Sequence, residues 1–317
     1  MADGKLPVAV VTGFLGSGKT TLISSLLGHP AMGEAAVIVN ELGEIGIDHH
    51  LLRRVDERTV LLKSGCLCCS LRGDLADELR DLLGRRDRGE IPAFRRVVVE
   101  TTGLADPAPI VYTLLSEPVV KHHFELETVV ATVDAQHGLT RPESLKQAAA
   151  ADTLVVTKAD LAAPAPLAAR LALLNPAADV VESRFGDVDP NLLFAPANRD
   201  PRRTAALLDP GPHDHGEVRA VTVVLEQPLD WTAFGIWLTM LLQARGAELY
   251  RVKGLLDVGG PGPLVLNGVQ HVVHPPVHLD AWPDEDRRSR IVFIGLGLDR
   301  QALERSLAAF NRAAGAQ

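Results

Sequence analysis

Cysteine is scarce in this chain. There are three among 317 residues, Cys66, Cys68 and Cys69, all within four positions of one another. An odd number packed that tightly makes a poor disulfide framework, and it suits a metal or redox site in a reducing compartment. Long apolar runs are also missing: none reaches the roughly 18 residues that a membrane span needs. The first residues, Met1 to Lys5, do not read as a signal peptide, so a cytoplasmic protein is expected. Positive charge is in deficit, with 32 Lys and Arg against 40 Asp and Glu, a net charge of -8. That speaks against general affinity for nucleic acid or an anionic membrane. No internal repeat is visible. What is present suffices for about two domains with ordinary cores, since 46% of the residues are hydrophobic.

Apolar, β-branched runs alternate with helical patterns from the start. Leu6 to Thr12 reads as a strand and Lys19 to Leu27 as a helix. Val37 to Asn40, Val97 to Val99, Val129 to Val133 and Leu154 to Val156 are short and nearly continuous, as in strands covered on both faces. Helical stretches fit between them at Leu71 to Leu83, Pro107 to Leu115, Ser144 to Ala150 and Leu167 to Leu174. Such alternation predicts an α/β fold with a mainly parallel sheet over residues 1–195. Residues 196–217 carry Pro196, Pro201, Pro210, Gly211 and Pro212 among polar residues and read as a linker. Residues 218–317 hold more strands than helices and predict a smaller α+β domain. Its strands fall at Val218 to Leu225, Tyr250 to Val258, Pro263 to Leu266, Gln270 to Val273 and Arg290 to Ile294. Its helices fall at Trp231 to Gln243 and Arg300 to Arg312. His271, His274 and His278 show no ligand spacing and are expected on its surface.

The strongest signal is Gly13-Phe14-Leu15-Gly16-Ser17-Gly18-Lys19-Thr20, a full G-x-x-x-x-G-K-[ST] between a strand and a helix. Glycines let backbone N–H groups curl around phosphate oxygens, and the helix N-terminus adds a favourable dipole. Lys19 is expected to reach the β- and γ-phosphates and Thr20 to ligate Mg²⁺. Phe14 and Leu15 are expected to pack. Glu100 ends the buried run Arg96-Val97-Val98-Val99, where a charge needs a reason, and is the candidate second Mg²⁺ carboxylate. The plain alternative is a strand end facing solvent. Gly103, three residues on, could bring its N–H to the γ-phosphate.

Thr157-Lys158-Ala159-Asp160 follows the strand at Leu154 to Val156. A carboxylate there can accept from guanine N1–H and the exocyclic amine, a donor pair that adenine lacks. Lys158 carbons can lie over the base. The usual guanine motif has Asn where Thr157 stands, which weakens one contact. The competing reading makes Asp160 a helix N-cap.

Gly65-Cys66-Leu67-Cys68-Cys69 precedes the helix at Leu71. Thiolates are soft ligands suited to Zn²⁺ and similar ions, and three of them leave a fourth position open. Redox activity and plain burial are the alternatives. Glu41 and Glu44 lie between the first helix and the cysteines, where a GTPase has its first switch. Each is a candidate ligand for Mg²⁺ or the second metal, and each could be part of a solvated acidic loop.

Taken in order, G-F-L-G-S-G-K-T-T, N-E-L-G-E-I-G-I-D, G-C-L-C-C, E-T-T-G-L-A-D-P and T-K-A-D resemble the CobW-like metallochaperone GTPases, relatives of the UreG and HypB maturation GTPases. The likeness spans about residues 6 to 195. It extends less distinctively through Arg251-Val252-Lys253-Gly254 and Arg290-Ile291-Val292-Phe293-Ile294-Gly295. It implies slow GTP hydrolysis coupled to metal delivery. The metal role falls on Cys66, Cys68 and Cys69. The nucleotide roles fall on Gly16, Ser17, Gly18, Lys19, Thr20, Thr21, Glu41, Glu100, Lys158 and Asp160. Some members carry a histidine-rich tract between domains, where this chain has only His213-Asp214-His215.

The resulting expectation is a GTPase that binds GTP, Mg²⁺ and Zn²⁺ (or Co²⁺), with Mg²⁺ on Thr20, Glu41 and Glu100. The transition metal sits on the three cysteines with Glu44 and passes to a client metalloprotein. No glutamine follows Glu100 to position water, so turnover is expected to be slow. A homo-oligomer is compatible with this reading. A redox- or metal-sensing regulatory GTPase and a small-molecule kinase are the rivals.

Overall fold

The structure is a computed structural model, and it describes residues 4–39, 60–63, 73–194 and 218–313, with backbone alone for 60–63 and 73–74. Two compact units divide the chain, one on a seven-stranded sheet and one on a six-stranded sheet. In the first unit the strands are β1 (Leu6–Gly13), β2 (Ala35–Val39), β3 (Val60–Lys63), β4 (Arg96–Glu100), β5 (Phe124–Asp134), β6 (Thr153–Thr157) and β7 (Asp179–Glu182). The helices along this part of the chain are α1 (Lys19–Leu27), α2 (Gly73–Asp87), α3 (Ala108–Ser116), α4 (Pro118–His123), α5 (Pro142–Ala150), α6 (Ala165–Leu174) and α7 (Pro190–Leu193), and the residues of α6 from Arg170 on group with the second unit. The sheet runs β3-β2-β4-β1-β5-β6-β7, and each neighbouring pair is parallel.

A sheet covered on both faces asks for apolar side chains at successive positions, and Val8, Ala9, Val10 and Val11 of β1 are all fully buried. Alternate residues share one face. Ala9, Val11, Val37, Val39, Val98, Val130 and Val155 form a single core with Leu22, Ile23, Leu26 and Leu27 of α1. That packing fixes α1 beneath the sheet, with its N-terminus at the C-terminal end of β1. Gly18 precedes it in the left-handed region, φ 92, and supplies no side-chain cap. The first N–H groups of α1 are therefore left for another acceptor.

The parallel α/β expectation holds. β7 and α4 escaped the sequence pattern: β7 is an edge strand of Asp and Glu around two valines, and α4 spans only six residues. α2 is described from Gly73; Leu71, where the helix is expected to begin, lies outside the described residues, as does the expected linker 196–217.

The second unit contains β8 (Val218–Leu225), α8 (Trp231–Arg245), β9 (Leu249–Leu256), β10 (Leu264–Val269), β11 (Val272–Val273), β12 (Val277–His278), β13 (Ser289–Leu296) and α9 (Arg300–Ala313). The order is β11-β10-β9-β13-β8, with β12 also on β10 and all pairs antiparallel. Phe234, Trp237, Leu238 and Leu242 of α8 and Leu303 and Leu307 of α9 cover Val223, Val252, Leu266, Ile291 and Phe293. This is the expected α+β layer. Positions of the opposite parity, Arg251, Lys253 and Arg290, are also buried. Asp284 grips Arg290 with two hydrogen bonds of 2.9 and 3.0 Å. His271 and His278 are exposed as expected, whereas His274 is buried, its Nδ1 3.3 Å from Asn267 Nδ2. A polar partner inside the sheet gives that ring a place the sequence does not signal.

Phe293 is fully buried and meets the Trp237 ring edge-to-face at 6.0 Å. Phe293→Ala is expected to destabilise this unit by about 3–5 kcal/mol. Urea unfolding followed by tryptophan fluorescence measures it, and a loss below about 1 kcal/mol would contradict this packing.

Candidate nucleotide site

β1 pairs with β4 on one side and with β5 on the other, and the chain crosses over to opposite sides of it. Open α/β sheets form their binding crevice at such a point, beyond the carboxyl ends of the strands. The loop from Gly13 to Gly18 lies there. Gly13, Gly16 and Gly18 all have positive φ, at 143, 71 and 92°. A Cβ on Gly13 would stand 2.2 Å from Thr132 Oγ1, so crowding as well as conformation requires glycine.

Buried threonines hold this loop from below. Ser17 Oγ is 2.7 Å from Thr132 Oγ1, and Thr157 Oγ1 donates to Ser17 O at 2.6 Å. Thr101 Oγ1 donates to Thr12 Oγ1 at 3.0 Å. The replacement of Asn by Thr157 thus retains a tie to the phosphate loop, where the sequence suggested a weakened contact. Lys19 Nζ donates to Gly13 O at 3.0 Å and Phe14 O at 3.2 Å, so its ammonium is held over its own loop. Leu15, expected to pack, is 55% exposed. Thr21, next to Thr20 on α1, is exposed.

Glu100 is buried at the end of β4, and Thr20 Oγ1 donates to its Oε1 at 2.8 Å. The reading of Glu100 as a solvent-facing strand end therefore falls. A Cβ on Gly103 would stand 2.5 Å from Leu15 N and 2.7 Å from Leu15 Cα. The chain after β4 rides directly on the phosphate loop, and glycine alone allows that approach. Gln147 of α5 holds the next stretch, its Nε2 donating to Gly103 O at 3.2 Å and Ala105 O at 3.0 Å.

On the base side, Lys158 is left-handed, φ 57, and Asp160 is exposed in the following turn. No helix begins until Ala165, which removes the N-cap alternative for Asp160. Lys158 Nζ reaches Asp134 Oδ2 at 2.6 Å. Asp134 also accepts from Gln136 N at 2.7 Å and lies 3.0 Å from His137 Nδ1. Burial pushes the Asp134 carboxyl up, but hydrogen bonds from Lys158, His137 and Gln136 outweigh it and hold the pKa below the ordinary value.

The structure thus gathers Gly13, Gly16, Ser17, Gly18, Lys19, Thr20, Glu100 and Gly103 about one loop and sets Thr157, Lys158 and Asp160 beside it. Glu41, Glu44, Cys66, Cys68 and Cys69 lie outside the described residues. Among the described residues, no group of three or more His, Cys, Asp or Glu side chains is placed to hold a metal. Thr12, Thr101, Thr132, Asp134 and Gln147 were not singled out from the sequence. The signal at Thr12, Thr132 and Asp134 is a hydroxyl or carboxyl inside or ending a buried strand, and at Thr101 a hydroxyl just after one, since buried polar groups require partners; Gln147, on α5, carries no such signal.

Residues 7–182 match the family model described as CobW/HypB/UreG, nucleotide-binding domain, and residues 218–311 match the cobalamin synthesis protein CobW C-terminal domain. The chain belongs to the CobW family. It is 34% identical to the zinc chaperone YjiA of Escherichia coli (strain K12), covering 97% of this chain and 99% of the relative. It is 30% identical to the zinc chaperone CobW of Pseudomonas aeruginosa, covering 96% and 91%. Its fold is similar to the crystal structure of Zn(II)-bound YjiA GTPase from Escherichia coli. The TM-score there is 0.74 at 30% identity over 97% of this chain and 99% of that one. For this CobW-family chain the P-loop fold and its C-terminal domain are therefore shared with a solved relative over nearly the full length.

Because the folded pKa of Asp134 is depressed, its contribution to stability is complete above the unfolded value, near pH 3.9, and is lost as pH falls through the folded value. Urea unfolding of the parent and of Asp134→Asn from about pH 6 to 2 should show a stability difference that shrinks below about pH 4. A difference that stays constant across that window would disprove the linkage.

Proposed function

We propose that this chain is a GTP-hydrolysing carrier of a transition metal, zinc first, which it delivers to a client metalloprotein. The observation that carries the nucleotide half is the Thr20 Oγ1–Glu100 Oε1 contact of 2.8 Å beside the phosphate loop. A hydroxyl and a carboxylate brought together there are hard oxygen donors suited to Mg²⁺. The metal half is supported by the thiols of Cys66, Cys68 and Cys69 and by relatives named zinc chaperones.

Backbone N–H groups from Gly13 to Thr20 and the first turn of α1 donate to the phosphate oxygens. Lys19 exchanges the carbonyls of Gly13 and Phe14 for β- and γ-phosphate oxygens. Thr20 and Glu100 would hold Mg²⁺, with Glu41 as the switch contribution. When bound, Mg²⁺ would supply neutralisation of the charge that develops on the phosphoryl group. Water attacks the γ-phosphorus, the bond to the β–γ bridging oxygen breaks, and GDP and phosphate leave. Thr101-Thr102-Gly103-Leu104, the stretch that follows Glu100, holds no water-positioning glutamine, which supports slow turnover. Gly103, lying against Leu15, reports whether a γ-phosphate is present. Asp160 selects guanine through N1–H and the exocyclic amine. Cys66, Cys68, Cys69 and Glu44 hold the cargo ion, and loss of γ-phosphate contacts loosens that set for transfer.

Calorimetric titration with Mg²⁺ should give GTP a preference over ATP of at least about a hundredfold. Equal affinity would remove the base assignment. With a non-hydrolysable GTP analogue bound, replacing Cys66, Cys68 and Cys69 by Ala should abolish tight zinc binding. Unchanged zinc affinity in that variant would end the carrier reading.

A further inference from the structure

The loop after β7 is not used by any step above. Arg184, Phe185, Gly186 and Asp187 form a tight turn, in which Asp187 N donates to Arg184 O at 2.9 Å and the two ends form an isolated antiparallel bridge. Both central residues have positive φ, 53° for Phe185 and 82° for Gly186. Turns of that hand take Gly, Asn or Asp at such positions, because a bulky side chain is strained there. Phe185 nonetheless occupies one, and it is 79% exposed. Neither conformation nor burial rewards the aromatic ring. Strain of this kind is retained where a ligand uses it.

The turn's location says which ligand. Ser183 N donates to Val156 O at 2.8 Å and Ala159 N donates to Ser183 O at 3.2 Å, which stitches the start of the loop to Thr157-Lys158-Ala159-Asp160. At its other side, a Cβ on Gly186 would stand 2.6 Å from Thr21 O and 3.2 Å from Ser25 Cβ, so the turn lies against α1 just beyond Thr20. It therefore runs from the segment that carries Asp160 to the first turns of α1, which follow directly on the phosphate loop. A nucleotide seated on both would lie beside it.

We propose that Phe185 forms one wall of the base pocket, its ring stacked on the face of the purine whose edge Asp160 reads. This rests on the guanine-nucleotide reading above. Every base has a π-face, so stacking adds affinity without choosing the base. Phe185 would thus supply strength, and Asp160 selectivity. Phe185→Gly isolates the role, since glycine suits the left-handed turn and little packing is lost.

Calorimetry on the full chain, with GDP, ADP and inorganic tripolyphosphate, each with Mg²⁺, tests it. Phe185→Gly is expected to weaken GDP about tenfold or more and to weaken ADP in proportion, so that the GDP-to-ADP ratio holds. Tripolyphosphate affinity should be unchanged, and the melting temperature of the nucleotide-free protein unchanged or higher. In Phe185→Trp, GDP should bind at parental strength and alter the new indole's emission. GDP affinity equal to the parent's in Phe185→Gly overturns the proposal, and so does an equal loss for tripolyphosphate, which would make the turn a support of the phosphate loop. A parent that binds no guanine nucleotide sinks the underlying reading instead, and separates the two failures.

Discussion

The hydroxyl of Thr157 donates to the carbonyl of Ser17, and much of the site's geometry depends on that bond. It joins the end of β6, which leads to Asp160, with the loop that leads to Lys19 and Thr20. Two recognition elements from distant parts of the chain thereby share one fixed distance. Both partners are buried, so breaking the bond would take the hydroxyl partner from the Ser17 carbonyl, a cost larger than the net value of an average hydrogen bond, while Thr157 Oγ1 would keep Val133 O at 3.3 Å. Thr132 and Thr12 continue the same scheme beneath the loop. A rigid cradle spends little of a ligand's binding free energy on ordering protein.

Where the cradle is rigid, the segment after β4 is placed to respond to it. Within four residues Glu100 reaches Thr20 and Gly103 lies against Leu15. Gln147 then fastens Gly103 and Ala105 to α5. Under the proposed function, a change at the γ-phosphate meets this segment before any other described one. Its tie to α5 limits how far the change can spread on that side. The candidate metal ligands come between β2 and α2 in the chain, and β2 is the strand next to β4. Under the proposed function, coupling between nucleotide and metal would start from two strands that are neighbours in the sheet.

Much of the first unit was legible because a doubly covered parallel sheet writes itself as valine runs, and a phosphate loop as fixed glycines. α1 fell at Lys19–Leu27 as the pattern predicts. The misses have a common cause. β7 is an edge strand with little apolar content, and Thr132, Asp134 and Gln147 act through partners 20 to over 100 residues away in sequence. No local window contains those partners. In the second unit, Arg251, Lys253 and Arg290 are buried within strands. A charge inside an alternating pattern reads as solvent-facing until a partner such as Asp284 of a later loop is in place.

Lys158 shows why such distant partners matter for recognition. A lysine stem is flexible, and a flexible stem makes a poor surface for a flat ligand, because ordering it opposes binding. Here two constraints act before any ligand arrives. The left-handed backbone sets the direction in which the side chain leaves the chain, and Asp134 holds the ammonium at 2.6 Å. Anchored at both ends, the methylene chain between is drawn into a line rather than sampling many rotamers. Asp134 can serve as that anchor because its own hydrogen bonds keep it ionised despite burial. Under the proposed function, the buried acid at the end of β5 is thus a condition for using a lysine stem as part of a base site.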